Sequence, residues 1–243
     1  MKAVIMAGGL GTRLRPLTEV IPKPLLPVGD CSILEIILQN LHRGGVTTVY
    51  LAINYMSEYF EDYFEKNPID FLDLKMSKET HALGTAGPLK ILKEELDEPF
   101  LVLNGDILTS LNFSKFVAFF KAHDFDLLVG TKVVQLPTNY GVVDSTCNQV
   151  LSIVEKPIIE TEVVGGIYCL SPEVLRYIPG GVPYDMPNLL QESCKRGRLG
   201  RFLIEDYWLD IGHMENYKQA CKDVNEFQVF HSIREVAMNK IQS

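Results

Sequence analysis

Short apolar runs alternate with helical patterns through the first half of this chain, and that alternation narrows the fold more than any other feature. It is the form a mostly parallel sheet covered by helices takes in sequence. The strand candidates are Ala3 to Met6, Thr48 to Ile53, Phe71 to Met76, Phe100 to Leu103 and Leu127 to Val134. Between them lie helix patterns at Ser32 to Leu41, Ser57 to Phe64, Ala86 to Leu96 and Ser114 to His123. The first sets Ile33, Leu34, Ile36, Ile37, Leu38 and Leu41 on a broad face, with Asp30 or Ser32 as its cap and Gly44-Gly45 as its stop.

After Gly130 the texture changes to strands separated by short turns, at Gly141 to Asp144, Val150 to Glu155 and Val163 to Leu170, which adds an antiparallel portion to the sheet. Asp185 to Lys195 is helical in pattern, Arg201 to Ile211 supplies one or two strands, and Glu215 to Gln228 is helical again. No Ser/Gly-rich linker, low-complexity tract or internal repeat divides the chain. The expected fold class is α/β, a Rossmann-like mixed and mostly parallel central sheet flanked by helices, with a small antiparallel portion and C-terminal helices. One domain over 1–225 and a helical tail over 226–243 follow from the same pattern. In that tail Phe227, Val229, Phe230, Ile233, Val236, Ala237 and Ile241 recur at near-helical spacing. Either the chain's own domain or a second copy, in a homodimer, would cover such a face.

The 243 residues are 47% apolar and 22% charged, an ordinary globular balance. A formal net charge of −8 speaks against binding nucleic acid, which needs a surplus of Lys and Arg on one surface. It leaves room for a small anionic substrate, because a few placed cations hold a phosphate inside an acidic protein. Cys31, Cys147, Cys169, Cys194 and Cys221 are scattered, without Cys-x-x-Cys or a zinc spacing, and are expected as free thiols. The N-terminal apolar run is too short for a signal h-region, and no segment reaches the roughly 18 apolar residues of a membrane span. A cytoplasmic chain with no membrane contact is the expectation.

The first strand candidate ends in Ala7-Gly8-Gly9-Leu10-Gly11-Thr12-Arg13. Glycines there let backbone N–H groups approach an anion without Cβ interference. This is neither a Walker loop nor Gly-x-Gly-x-x-Gly, since Arg13 stands where the third glycine would be. A guanidinium in that place can grip phosphate oxygens in a fork and stabilise charge as a phosphorus–oxygen bond breaks. Downstream, Pro22 and Pro24 flank Lys23 and stiffen the segment that presents its ammonium.

The run Gly8 to Arg15 with Lys23 between prolines resembles the signature of the sugar-1-phosphate nucleotidyltransferases, or nucleotide-sugar pyrophosphorylases, over Met1 to roughly Asn225. The resemblance implies that Ala7, Gly8, Gly9, Gly11, Thr12 and Arg13 bind a nucleoside triphosphate, with Arg13, Lys23 and Asp106 catalytic. It implies Mg²⁺ as cofactor, held by Asp106 of Asn104-Gly105-Asp106 and by Asp210 of Tyr207-Trp208-Leu209-Asp210. Asn104, Tyr140, Gly141, Glu155, Lys156 and Gly166 are implied as the sugar-phosphate site, with Glu155 accepting from sugar hydroxyls and Lys156 binding the phosphate. The antiparallel portion is thereby implied to be the sugar-binding part.

The segment Leu83-Gly84-Thr85-Ala86-Gly87-Pro88-Leu89 is more similar to the guanylyltransferase branch than to the thymidylyl branch, which favours GTP over CTP, UTP or dTTP. Gly84 permits close approach of a base, a helix beginning near Thr85 would present N–H groups, and Glu79 could accept from guanine N1–H and N2–H together. Val164-Gly165-Gly166 departs from the Asn-Ala-Gly of mannose-type relatives, and valine cannot hydrogen-bond a hydroxyl. The Tyr184-Asp185-Met186-Pro187 segment resembles short bacterial enzymes for mannose, heptose or glucosamine 1-phosphates that supply surface glycans. A glycosyltransferase would carry Asp-x-Asp where this chain has Asn104-Gly105-Asp106. A regulatory subunit that only binds nucleotide sugar would have lost one or more of Arg13, Lys23, Asp106, Lys156 and Asp210.

Overall fold

The structure, a computed structural model, describes residues 1–226. The expected apolar face from Phe227 to Ile241 lies outside the described residues. In chain order the elements are β1 (Lys2–Met6), β2 (Pro27–Val28), β3 (Cys31–Ser32), α1 (Ile33–Arg43), β4 (Thr48–Ile53), α2 (Ser57–Lys66), β5 (Asp73–Lys78), α3 (Pro88–Ile91) and β6 (Phe100–Asn104). There follow β7 (Ile107–Thr109), α4 (Phe113–Lys121), β8 (Leu127–Pro137), β9 (Gly141–Thr146), β10 (Gln149–Glu155), β11 (Ile158–Leu170), α5 (Met186–Lys195), β12 (Leu199–Leu203), β13 (Trp208–Asp210) and α6 (Met214–Glu226).

The main sheet has seven strands in the order β12-β8-β11-β6-β1-β4-β5. β1 runs parallel to β4 and β6, β4 to β5, and β12 to β8, while β11 opposes both β6 and β8. The mixed, mostly parallel α/β sheet is therefore as expected. Central strands of such a sheet are buried on both faces, which is why β1 reads as a continuous apolar run. Ala3 and Ile5 join the core layer under α1 and α4, and Val4 joins the opposite layer with Leu89, Leu92, Met186 and Leu189.

Local chemistry fixes where α1 begins. Ser32, not Asp30, is the cap: its Oγ accepts the Glu35 N–H at 3.1 Å, and Glu35 Oε2 accepts the Ser32 N–H at 2.7 Å. This reciprocal pair satisfies two otherwise orphaned donors. The helix then buries Ile33, Leu34, Ile36, Ile37, Leu38 and Leu41 and stops at Gly44.

Two elements differ from the sequence expectation. The strand expected at Phe71 to Met76 is β5, two residues later, because pairing with β4 begins at Asp73 opposite Thr48 while Leu72 is buried ahead of it. The helix expected over Ala86 to Leu96 shrinks to the single turn of α3. The Ala86 and Gly87 N–H groups both donate to Tyr184 O at 2.9 Å, and the turns that follow close largely through i to i−3 bonds, Leu89 to Ala86, Lys90 to Gly87 and Glu95 to Leu92. Leu89, Leu92 and Leu96 are nevertheless buried, so the apolar spacing reflects packing without a continuous helix.

The antiparallel portion is longer than its sequence pattern. The outer halves of β8 and β11 pair with each other as far as Pro137 and Ile158, and β9 and β10 form a separate two-stranded sheet at their end. That arm exposes Val142, Val143, Val150, Leu151, Ile153 and Val154. None of the five cysteines forms a disulfide, as expected, and no helix among the described residues is long and apolar enough to cross a membrane.

Ser32→Ala removes the cap acceptor of α1 and should lower stability by about 1–2 kcal/mol in denaturant unfolding. A change within about 0.3 kcal/mol would show that the box contributes nothing.

Candidate active site

Ligands of open α/β sheets bind beyond the carboxyl ends of the strands. β1 ends there at Met6, and the chain turns through Ala7, Gly8, Gly9, Leu10 and Gly11 into a 3₁₀ turn, Thr12–Leu14. Gly11 adopts φ +61°, and a Cβ on it would lie 2.8 Å from Thr18 Cγ2. Thr18 Oγ1 donates to Gly11 O at 2.8 Å and locks the turn. No hydrogen bond among the described residues takes up the N–H groups of Gly9 to Thr12, which leaves a concave run of donors.

Lys23 opens a second 3₁₀ turn, Lys23–Leu25, between its two prolines, and it is buried. Its Nζ lies 2.6 Å from Asp106 Oδ2. Asp106 stands just past the end of β6, pinned to β1 by the Gly105 N–H to Met6 O bond at 3.0 Å. Its other oxygen, Oδ1, is buried with no hydrogen-bond partner. A buried carboxylate oxygen without a donor is costly unless something positive completes it.

Asp210 reaches the same place by strand pairing. β13 lies antiparallel to β7 with Asp210 opposite Ile107, and the Ile211 N–H donates to Asp106 O at 3.0 Å. Burial, and then the charge of Asp106, push the Asp210 carboxyl above its usual range, against the pull of Lys23, Arg13 and His213. Arg13 approaches from the loop side: a Cβ on Gly212 would lie 3.4 Å from Asp210 Oδ2 and 3.6 Å from Arg13 Nη1. Arg13 forms no ion pair with another described residue, so its guanidinium is available to an anion.

Two cavities adjoin around these groups. One, of about 200 Å³, is lined by Gly11, Thr12, Arg13, Lys23, Asp106 and Gly212. The other, of about 280 Å³, is lined by Gly8, Asn54, Glu79, Leu83, Gly84 and Thr85. Met6, Gly9 and Asp106 border both. The nucleotide-site residues expected from sequence thus fall along one cleft, cations and carboxylates at one end and Glu79 at the other.

Glu79 Oε2 accepts the Leu83 N–H at 2.9 Å. Burial raises its carboxyl above the usual range, opposed by that bond and by one from Asn54. The sequence reading missed Asn54, although its place at the end of β4 could have marked it. Gly84, at φ +75°, is required for a different reason than expected: a Cβ would meet Asp185 Oδ1 at 2.6 Å and Tyr184 O at 2.9 Å. The N–H groups that a helix N-terminus near Thr85 was expected to present are taken up within the chain, that of Thr85 by Asp185 and those of Ala86 and Gly87 by Tyr184 O. The Tyr184 segment thus sits against this end of the cleft.

The sugar-site candidates divide. Asn104 lines the larger cavity, and Gly166, at φ +68°, packs so closely that a Cβ would lie 2.8 Å from Asn104 Nδ2. Tyr140, Gly141, Glu155 and Lys156 gather at the base of the β9–β10 arm, where the Lys156 N–H donates to Tyr140 O. They line neither cavity, and Tyr140 is 80% exposed. The pairing of β9 with β10, which sets Gly141 opposite Glu155, holds them together.

The sequence profile of the nucleotidyl transferase family matches residues 2–226. The mannose-1-phosphate guanyltransferase of Neurospora crassa is 37% identical over 227 residues, covering 89% of this chain and 62% of that protein. The chain therefore spans somewhat under two thirds of the length of the curated relatives it matches. Among solved structures, HddC from Yersinia pseudotuberculosis superposes with a TM-score of 0.73 at 29% identity, over 91% of this chain and 98% of that one. Its complex with GMP-PN gives 0.71 at 27%, with the same coverage. UDP-glucose pyrophosphorylase complexed with UDP-glucose shares the fold, with a TM-score of 0.73 at 20% identity over 93% of this chain and 98% of that one. The family match runs from the first strand to the last described helix and takes in every residue of the cleft, so the chain belongs to the nucleotidyl transferase family.

Proposed function

We propose that the chain transfers a nucleoside monophosphate, from GTP by preference, to a sugar 1-phosphate, releasing pyrophosphate and forming a nucleoside diphosphate sugar. The observation that carries this reading is the meeting of Arg13, Lys23, Asp106 and Asp210 at the rim of an open run of backbone donors. A phosphate oxygen of the sugar attacks the α-phosphorus, and the bond from that phosphorus to the β-phosphate oxygen breaks. The attacking phosphate is already ionised at neutral pH, so no general base is required. Catalysis is then positioning and charge neutralisation. The Gly9 to Thr12 donors and the Arg13 fork hold the triphosphate, and Lys23 offsets the charge that gathers on the transferred group.

The donor set fits Mg²⁺, a hard cation that takes one or two carboxylates together with phosphates and water. Asp106 Oδ1 lacks a partner, and the raised Asp210 carboxyl is relieved by any nearby positive charge. Among the described residues there is no cluster of three or more His, Cys, Asp or Glu of the kind an all-protein metal cage would need. Bound there, the ion would supply charge neutralisation for the pyrophosphate leaving group.

The guanine preference rests on Glu79 at the far end of the cleft, on the names of the guanyltransferase relatives and on the GMP-PN complex of HddC. An ionised Glu79 accepts from two guanine donors at once, which uracil and cytosine do not offer in that arrangement.

Asp106→Asn and Asp210→Asn should each lower turnover at least about 10²-fold, the scale of losing one electrostatic stabiliser. Near-normal activity in either variant would remove that residue from the site. Glu79→Gln should flatten the preference for GTP. In the native chain the preference should persist at higher pH and fade as pH drops through the raised Glu79 value, since only the carboxylate accepts from both donors. A preference unchanged by that substitution or by pH would exclude Glu79 as the reader. The reaction itself is tested by pyrophosphate release over four nucleoside triphosphates and a panel of sugar 1-phosphates that includes mannose 1-phosphate. Release in no combination would overturn the proposal.

A further inference from the structure

We infer that Asp185 is a positioning residue for the nucleobase end of the cleft, and this rests on the reading that Glu79, Gly84 and Thr85 enclose the base. Asp185 is the N-cap residue of α5, yet its side chain makes no capping bond to that helix. Asp is a favoured N-cap because its carboxylate satisfies orphan N–H groups of its own first turn. Here the carboxylate is turned across to another segment. Asp185 Oδ1 accepts the Thr85 N–H at 3.0 Å and the Thr85 hydroxyl at 3.4 Å, while Thr85 Oγ1 accepts the Met186 N–H at 2.8 Å.

The cap has been exchanged between two parts of the chain 100 residues apart. Thr85 serves a donor at the start of α5, and Asp185 serves a donor in the cleft wall. The surrounding bonds run backbone to backbone: Tyr184 N–H to Leu83 O at 2.8 Å, and Ala86 and Gly87 N–H to Tyr184 O. Any residue but proline at 184 could make them. Asp185 is the side chain on that segment that reaches the wall, and Gly84 must lack a Cβ for it to pass so close. The Thr85 hydroxyl is engaged both as donor and as acceptor, which fixes the side chain that borders the cavity beside Gly84 and Glu79.

The exchange touches neither the glycine run nor Lys23, Asp106 or Asp210. Its loss therefore loosens the base end and leaves the phosphate end intact. Two variants separate these ends. Asp185→Ser keeps a good cap for α5 but is one bond too short to reach Thr85, whereas Asp185→Asn keeps an acceptor at Oδ1.

Equilibrium binding of GTP and of inorganic tripolyphosphate, each with Mg²⁺, is measured on the full chain. Tripolyphosphate probes the phosphate end alone. Asp185→Ser should weaken GTP roughly fivefold, the scale of one or two exposed hydrogen bonds, and leave tripolyphosphate within about twofold. Asp185→Asn should restore most of the GTP affinity. GTP binding within about twofold of the native chain in Asp185→Ser, an equal loss for both ligands, or no recovery in Asp185→Asn would each overturn the role of Asp185. The native chain tests the underlying reading separately. Should it bind GTP no more tightly than tripolyphosphate, the base assignment fails and this inference falls with it.

Discussion

The parallel pairing of β1 with β4 on one side and β6 on the other is the constraint from which the cleft follows. Parallel strands end on the same edge, so Met6, Ile53 and Asn104 deliver the glycine run, Asn54 and Asp106 to one rim. Burial on both faces fixes the register of β1, because a one-residue slip would exchange Val4 with Ala3 and Ile5 between two differently shaped core layers. The chemistry at the rim is thus held by packing several ångströms below it.

At that rim the charges are arranged in opposition. Burial and the charge of Asp106 raise the cost of ionising Asp210, and Lys23 and Arg13 offset it. Lys23 is bonded to one oxygen of Asp106 while the other oxygen has no donor. An apolar core could not hold such a pair without large desolvation costs, whereas here Asp106 borders two open cavities.

The sheet and the glycine run were legible in the sequence because both are local. A strand shows as an apolar run, and a loop that needs donors without Cβ atoms shows as glycine. Lys23 was legible from its two prolines. Asp210 was not legible by spacing, since it depends on β13 pairing with β7, a contact between segments about a hundred residues apart; only the family resemblance pointed to it. The helix pattern over Ala86 to Leu96 misled because apolar spacing records burial, whereas the backbone there closes largely in i to i−3 turns. The meeting of the Tyr184 segment with the loop from Leu83 to Gly87 was not legible either, because it joins segments about a hundred residues apart through main-chain bonds and the Asp185–Thr85 pair. Tyr140, Glu155 and Lys156 were recognised as a group, and the structure gathers them at the base of the arm.

The arm also bears on how this fold tolerates change in length. β9 and β10 pair only with each other, and the sheet position of β11 is set farther down, where Ile167 to Leu170 lie against β6. Residues gained or lost between Pro137 and Ile158 lengthen or shorten the ribbon without shifting β1, β6 or β13, which carry the glycine run, Asp106 and Asp210. Among the described residues this is a stretch in which variation in chain length is uncoupled from the geometry of those groups.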